Sequence, residues 1–125
     1  DRSGTDSAVH LLQFITDTRP ERVELSIDGV GAFDHICRAR KFEQLLADPD
    51  LSTLVPFVRQ WYGSPSTFHW EDCRGRTHTI QQGDGGEQGD ALMPALFCLA
   101  LHPALLDIRA TIPADADIIV YLDDT

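Results

Sequence analysis

The chain has 125 residues, of which 20 are acidic and 10 are basic, and its formal net charge is −10. This length allows one domain with a modest core, and a hydrophobic content of 42% excludes a disordered acidic tail. The residues include no obvious membrane span or signal peptide, and the charge disfavours a free-standing nucleic-acid binder, because phosphate contacts need clustered Lys and Arg.

The first half of the chain predicts a helix, a strand and a second helix. The polar residues 5–7 can cap a helix that runs to about residue 16, with apolar side chains on one broad side. Residues 23–27 alternate apolar and polar side chains, which is typical of a strand. Asp34 then resembles an N-cap for a helix near residues 35–47, and Asp48-Pro49-Asp50 ends that helix.

The second half predicts a further helix over 51–61, a hairpin formed by 66–70 and 76–81, and a glycine-rich loop over 83–90. Pro94 suits the first turn of a long helix to about residue 108, and residues 118–122 have strand character. This order predicts an α+β fold in which helices pack on one face of a small antiparallel sheet.

The chain ends and the cysteines bear on completeness and on redox environment. The sequence begins without Met and stops just after the predicted strand 118–122, so we expect a fragment of a longer chain. Cys37, Cys73 and Cys98 form no C-x-x-C pair, which favours buried free thiols in a reducing compartment. The alternative, a zinc site at Cys73 with His69 and His78, lacks a fourth ligand at the usual spacing.

Carboxylates follow two of the predicted strands directly. Asp28 comes after residues 23–27, and Asp123 and Asp124 come after residues 118–122. If these strands are neighbours, the carboxylates would lie side by side and repel one another unless a hard cation such as Mg²⁺ bound them. Two such ions about 4 Å apart can activate an attacking hydroxyl and stabilise a leaving oxygen in phosphoryl transfer.

Two polar segments allow both a structural and a functional interpretation. The loop 83–90 lacks the pattern of a Walker or Rossmann phosphate loop, but Gln88-Gly89 would let the backbone approach a base or nucleotide closely. Otherwise it is a flexible connection. The basic cluster formed by Arg38, Arg40 and Lys41 is interpreted as a solvated helix face rather than a nucleic-acid contact.

Three segments together resemble the conserved motifs of reverse transcriptases. Residues 27–34 (IDGVGAFD) resemble motif A, residues 88–97 (QGDALMPALF) resemble motif B, and residues 121–124 (YLDD) resemble motif C, in the order that the family has. Residues 2–8 (RSGTDSA) are similar to the segment that precedes motif A in enzymes of non-LTR retroelements. The three motifs and the preceding segment are spread over nearly the whole of residues 1–125.

This resemblance implies the palm of an RNA-directed DNA polymerase, an α+β domain that adds deoxynucleotides to a primer 3′-hydroxyl. It implies that Asp28 and Asp123, supported by Asp124, hold two Mg²⁺ ions, with Mn²⁺ as an alternative. Phe33 would pack under the sugar and exclude a 2′-hydroxyl. The remaining implied roles are nucleotide and template contacts by Gln88 and Gly89 and a position under the primer end for Tyr121.

The implied partners are an RNA template, a DNA primer and a dNTP, with no membrane, and the implied location is intracellular, in the nucleus. Met93 stands where motif B has Ser, so the following helix loses a cap oxygen at a cost of about 1 kcal/mol unless another group caps it. Ala91 stands where many members carry Pro. Because fingers and thumb would be missing, we expect the 125 residues alone not to polymerise.

Three alternative functions stay open. The first is an RNA-dependent RNA polymerase palm, which shares the fold. The second is a non-catalytic retroelement remnant. The third is an acidic cation-binding module whose residues 84–87 hold Ca²⁺.

Overall fold

The computed structural model describes the backbone of residues 4–120 and the side chains of residues 6–120. The described chain divides into two compact units, one formed by residues up to Val30 together with those from Ile112 onwards, and one formed by Gly31–Thr111. It combines five α-helices with one small antiparallel sheet in the described range, which confirms a mixed α+β composition.

The first unit contains helix α1, Gly4–Thr18, followed by extended chain. Residues 22–27 form no regular strand, and Asp28 alone occupies an isolated bridge position. The prediction of a strand over 23–27 is therefore not met in the described residues. The side chains of Val23 and Leu25 are 94% and 77% exposed, so the alternating pattern has no apolar surface to pack against there.

A double ion pair joins the two chain segments that form the first unit. The Arg22 guanidinium lies 3.0 Å from the Asp117 carboxylate and 3.4 Å from that of Asp115. Residues 116–120 form no regular strand, and the rest of the predicted strand 118–122 lies outside the described residues.

The second unit begins with two helices where the sequence predicted one. Helix α2 spans Ala32–His35 and helix α3 spans Arg38–Ala47, separated by extended backbone at Ile36 and Cys37. Asp34 therefore lies inside α2 and caps nothing, and Cys37 occupies the N-cap position of α3. The cap prediction for Asp34 was wrong, because the chain is already helical from Ala32 and turns extended at Ile36, whose carbonyl oxygen accepts a long-range hydrogen bond from the Gly85 N–H.

The next elements follow the predicted order closely. A 3₁₀ turn, Leu51–Leu54, leads into helix α4, Val55–Tyr62, which accommodates Pro56 in its first turn. Strands β1, Ser66–Glu71, and β2, Thr77–Gln82, pair in register from Ser66 opposite Gln82 to Glu71 opposite Thr77. Asp72 closes the hairpin by accepting hydrogen bonds from the backbone N–H groups of Arg74 and Arg76 at 2.9 and 3.0 Å.

The core of the second unit lies between helices rather than beneath the sheet. Its buried side chains come from α3, α4 and helix α5, Met93–Thr111: they are Leu45, Val55, Val58, Tyr62, Met93, Leu96 and Phe97. Both strands carry only exposed or half-buried side chains, including Trp70, which is 57% exposed. The expected packing of helices on the sheet face is thus not seen in the described residues.

Helix α5 is long and apolar enough to cross a membrane by length and composition alone. Asp107 and Arg109 interrupt the apolar run of this helix, so the sequence pattern did not predict a span here. A core helix of a globular unit satisfies the same criterion, and the first two turns of α5 are core here.

Candidate nucleotide site

The segment that resembles motif A leads from the first unit into the second. Asp28 has an exposed carboxylate that makes no hydrogen bond or ion pair within residues 6–120. An exposed carboxylate without a partner among the described residues is compatible with a metal ligand, since its oxygen lone pairs face no donor there. Gly31, with φ of 60°, then turns the chain into α2, where Phe33 is half-buried.

Phe33 and the helix that resembles motif B share one core. The Phe33 ring packs edge-on against the ring of Phe97 on α5, with centroids 4.9 Å apart and planes at 68°. The backbone N–H of Gly86 also donates a 2.9 Å hydrogen bond to the Phe33 carbonyl oxygen. Two segments far apart in sequence are therefore joined through both a side chain and the backbone.

Gln88 and Gly89 form an exposed turn in the loop that precedes α5. The backbone N–H of Asp90 donates to the Glu87 carbonyl oxygen at 3.1 Å, and Gly89 has a φ of 94° at the third position. A positive φ at that position is what a type II turn requires, which explains a glycine there. The Gln88 side chain is exposed and makes no hydrogen bond in the described part of the chain, so its amide is free to contact a ligand.

The Asp90 carboxylate holds the residue before α5, where Met93 stands in place of the serine of motif B. The Asp90 carboxylate accepts a 2.9 Å hydrogen bond from the backbone N–H of Leu92, and it also accepts one from the Tyr62 hydroxyl. Burial and this bond to Asp90 raise the pKa of Tyr62 to about 12. Met93 itself is a core residue, with only 1% of its surface exposed.

The basic cluster on α3 is largely buried, which contradicts the prediction of a solvated face. Lys41 is 0% exposed and Arg38 is 5% exposed, whereas Arg40 is exposed and pairs with Glu43 at 2.8 Å. Arg38 and Lys41 lie three residues apart and share the inward face of α3 with Leu45. That helical spacing is the signal that could have identified them, since it places both cations on the stripe that faces the core.

The side chains of Arg38 and Lys41 both contact the Tyr62 ring and the Gly85 carbonyl group. The Lys41 ammonium lies 4.6 Å from the centroid of the Tyr62 ring and the Arg38 guanidinium lies 5.2 Å from it. Both also donate to the Gly85 carbonyl oxygen, at 2.8 Å from Lys41 and 3.0 Å from Arg38. Burial, together with the positive Arg38, lowers the pKa of Lys41 to about 8.

These contacts bear on the calcium alternative for residues 84–87. The Gly85 carbonyl oxygen accepts hydrogen bonds from two cationic groups, and the Asp84 carboxylate accepts one from the backbone N–H of Arg38 at 3.2 Å. Oxygen atoms that face protonated side chains are poor ligands for a second cation. The loop geometry therefore gives the calcium module little support.

The remaining predicted site residues lie outside the described range. Asp123 and Asp124, the other two predicted metal ligands, and Tyr121, the predicted primer contact, belong to this group. Within residues 6–120, no group of three or more His, Cys, Asp or Glu side chains is arranged to hold a metal ion, which leaves the zinc alternative without support. Cys37, Cys73 and Cys98 are free as predicted, but all three are exposed rather than buried.

The first unit also contains an open cleft of about 290 Å³ between α1 and residues 117–119, lined by side chains such as Leu11, Phe14 and Ile118. None of the predicted site residues lines it. Comparison with protein-family models, curated proteins and solved structures found no significant match for this chain.

Proposed function

We propose that this chain is the palm core of a reverse transcriptase, in which Asp28 and Asp123, supported by Asp124, bind Mg²⁺. The proposal rests first on the ordered set of three motifs in the sequence. The structural observation that carries it is the packing of Phe33 against Phe97, because it joins the motif A and motif B segments in one core. In a palm these two segments would contribute different groups, one a metal ligand and the other a nucleotide contact.

The bound ions would activate the primer hydroxyl and neutralise the charge that develops on the triphosphate. The chain's own residues would orient the nucleotide. Gln88 offers an amide that makes no hydrogen bond among the described residues, on an exposed turn, and the half-buried Phe33 would lie under the sugar, where it would exclude a 2′-hydroxyl. An aromatic side chain at that position would favour deoxynucleotides, which distinguishes this function from an RNA polymerase palm.

Nuclear magnetic resonance on the isotopically labelled chain tests the proposal. We expect Mg·dTTP to shift the backbone amide signals of Gln88 and Gly89 and the side-chain amide signals of Gln88. Mg·ribothymidine triphosphate, which differs from it only by the 2′-hydroxyl, should shift them less at equal concentration. Phe33→Ala should bring the two responses together. Phe68→Ala, which removes an exposed aromatic from β1, is the matched control and should preserve the difference.

Two results would contradict the proposal. One is a chain whose Gln88 and Gly89 signals respond to neither nucleotide. The other is an equal response to both nucleotides in the unsubstituted chain, which would favour the RNA polymerase alternative.

A further inference from the structure

Buried cationic side chains fix the loop that leads into the Gln88-Gly89 turn. The Lys41 ammonium and the Arg38 guanidinium donate to the same Gly85 carbonyl oxygen at 2.8 and 3.0 Å. Arg38 also donates to the Ser64 carbonyl oxygen at 2.7 Å and to the Ser66 hydroxyl at 2.8 Å. Burying two cations side by side costs free energy, and the proposed metal chemistry does not explain it.

The backbone of the same loop is attached to the chain that follows Phe33. The N–H of Gly85 donates to the Ile36 carbonyl oxygen and the N–H of Gly86 to that of Phe33, both at 2.9 Å. A Cβ atom on Gly85 would lie 2.1 Å from the Asp34 carbonyl oxygen, so the two backbones are in direct contact. Residues 85–86 are therefore held by side chains of α3 and also by the backbone at Phe33 and Ile36.

The other end of the turn is held independently. Asp90 accepts hydrogen bonds from the Tyr62 hydroxyl and from the N–H of Leu92, which attaches it to α4 and to the start of α5. Only residues 87–89 lie between the two fixed points, and the bond from the Asp90 N–H to the Glu87 carbonyl oxygen closes them into one turn. The orientation of Gln88 thus depends on both anchors.

We infer that Lys41 is a positioning residue, whose ammonium group holds Gly85 so that the turn presents Gln88 and Gly89 to the nucleotide. This inference rests on the proposed function for the identity of the ligand. The anchoring itself is a property of the chain without ligand, so it can be measured separately. Asp90 has the corresponding role at the other end of the turn.

The charge of Lys41 makes this anchor sensitive to pH. Its pKa is lowered to about 8, by burial first and by Arg38 second, so the bond to Gly85 loses its positive charge as the pH rises through that value. The other ionisable groups that face it are Cys37 on its own helix, Tyr62 on α4, and Asp84 and Asp90 in the loop. Both carboxylates favour the charged ammonium.

The test compares Lys41→Met, which keeps an unbranched chain of similar size, with Arg40→Met, which removes an exposed cation from the same helix. In Lys41→Met we expect the amide protons of Gly85 and Gly86 to exchange with solvent at least about tenfold faster, since an anchored loop opens locally more often once a contact is lost. We also expect Gln88 to need at least about tenfold more Mg·dTTP for the same signal shift. Arg40→Met should match the unsubstituted chain in both measurements.

The pH profile gives a second readout that does not depend on how well the variant folds. In the unsubstituted chain, we expect the Gly85 and Gln88 amide signals to titrate with a midpoint near the Lys41 pKa of about 8. Lys41→Met, where it folds, should lack that midpoint. If the amide signals of the unsubstituted chain show no midpoint near pH 8, the inference is overturned.

The two proposals fail in different ways. If Gln88 in the unsubstituted chain does not respond to Mg·dTTP, the proposed function fails, and the role of Lys41 toward a nucleotide fails with it. If the unsubstituted chain responds and Lys41→Met responds equally, only the positioning role of Lys41 is overturned.

Discussion

The Phe33 ring meets the Phe97 ring edge-on at a centroid distance of 4.9 Å, which gives a side-chain link between the segments that resemble motif A and motif B. Edge-on aromatic pairs contribute about 0.5–1.5 kcal/mol beyond the area they bury. The contact packs α2 against α5, the helix that follows the Gln88-Gly89 turn. Loss of this pair should therefore affect both stability and the site.

A double-mutant cycle on Phe33 and Phe97 tests that link. We expect Phe33→Ala to lower the free energy of unfolding by less than about 3 kcal/mol, because the side chain is only half-buried, and Phe97→Ala to cost about 3–5 kcal/mol. The coupling free energy between them should be about 0.5–1.5 kcal/mol. Fluorescence of Trp61 and Trp70, both in the second unit, reports the unfolding. A coupling indistinguishable from zero would show that the rings do not interact.

Alanine substitutions at three glycines test how closely the loop 83–90 contacts α2. Gly85→Ala should be the most destabilising, because its Cβ would lie 2.1 Å from a backbone oxygen and its φ is 74°. Overpacking costs about 1–3 kcal/mol and the left-handed backbone about 1–2 kcal/mol more. Gly75→Ala should show only the second cost, since it has a φ of 73° with open space around it.

Gly83→Ala is the control for this series, because a Cβ there meets nothing within 4 Å and its φ is ordinary. Denaturant unfolding of the three variants should rank them with Gly85→Ala least stable and Gly83→Ala unchanged. Equal stability of Gly85→Ala and Gly83→Ala would mean that the loop does not contact the Asp34 backbone.

The stability of the second unit should depend on pH in a way that reports Lys41 and Tyr62. The pKa of Lys41 falls from 10.5 to about 8 on folding, so between these values the unfolded chain binds more protons and stability rises with pH. The pKa of Tyr62 rises from 10.0 to about 12, so stability falls again between those values. We therefore expect a stability maximum near pH 10.

Denaturant unfolding at a series of pH values from 7 to 12 measures this profile. Because Lys41 is the only lysine in the chain, Lys41→Met should abolish the rise above pH 8 and leave the fall above pH 10 in place. Arg40→Met, which removes an exposed cation, should keep both. If the free energy of unfolding still rises above pH 8 in Lys41→Met, a group other than Lys41 causes the rise.

Local sequence signals predicted the hairpin and the loop over 83–90, because their determinants lie within a few residues. The turn at Asp72 and the β-branched and aromatic residues beside it are sufficient to predict β1 and β2, and Pro94 marks the start of α5 to within one residue. In the same way, the glycine-rich composition predicted a loop over 83–90, and Gln88-Gly89 forms a turn within it.

Long-range contacts explain what the sequence did not predict. The break between α2 and α3 depends on a hydrogen bond from Gly85 to Ile36, and the burial of Lys41 depends on a carbonyl group 44 residues away. Neither partner is visible from local propensity, so one continuous helix and a solvated basic face were the natural predictions. A regular strand before Asp28 would likewise need a neighbouring ladder that the described residues do not supply.

The most direct test of the proposed function is to locate a bound metal ion with Mn²⁺, whose unpaired electrons broaden nearby amide signals. We expect substoichiometric Mn²⁺ to broaden Ile27, Asp28 and Gly29 first, and both Asp28→Asn and Asp123→Asn to abolish that broadening. Asp17→Asn, which removes an exposed carboxylate from α1, should leave it unchanged. Broadening that survives both substitutions, or that centres on residues 84–87 instead, would contradict a polymerase metal site.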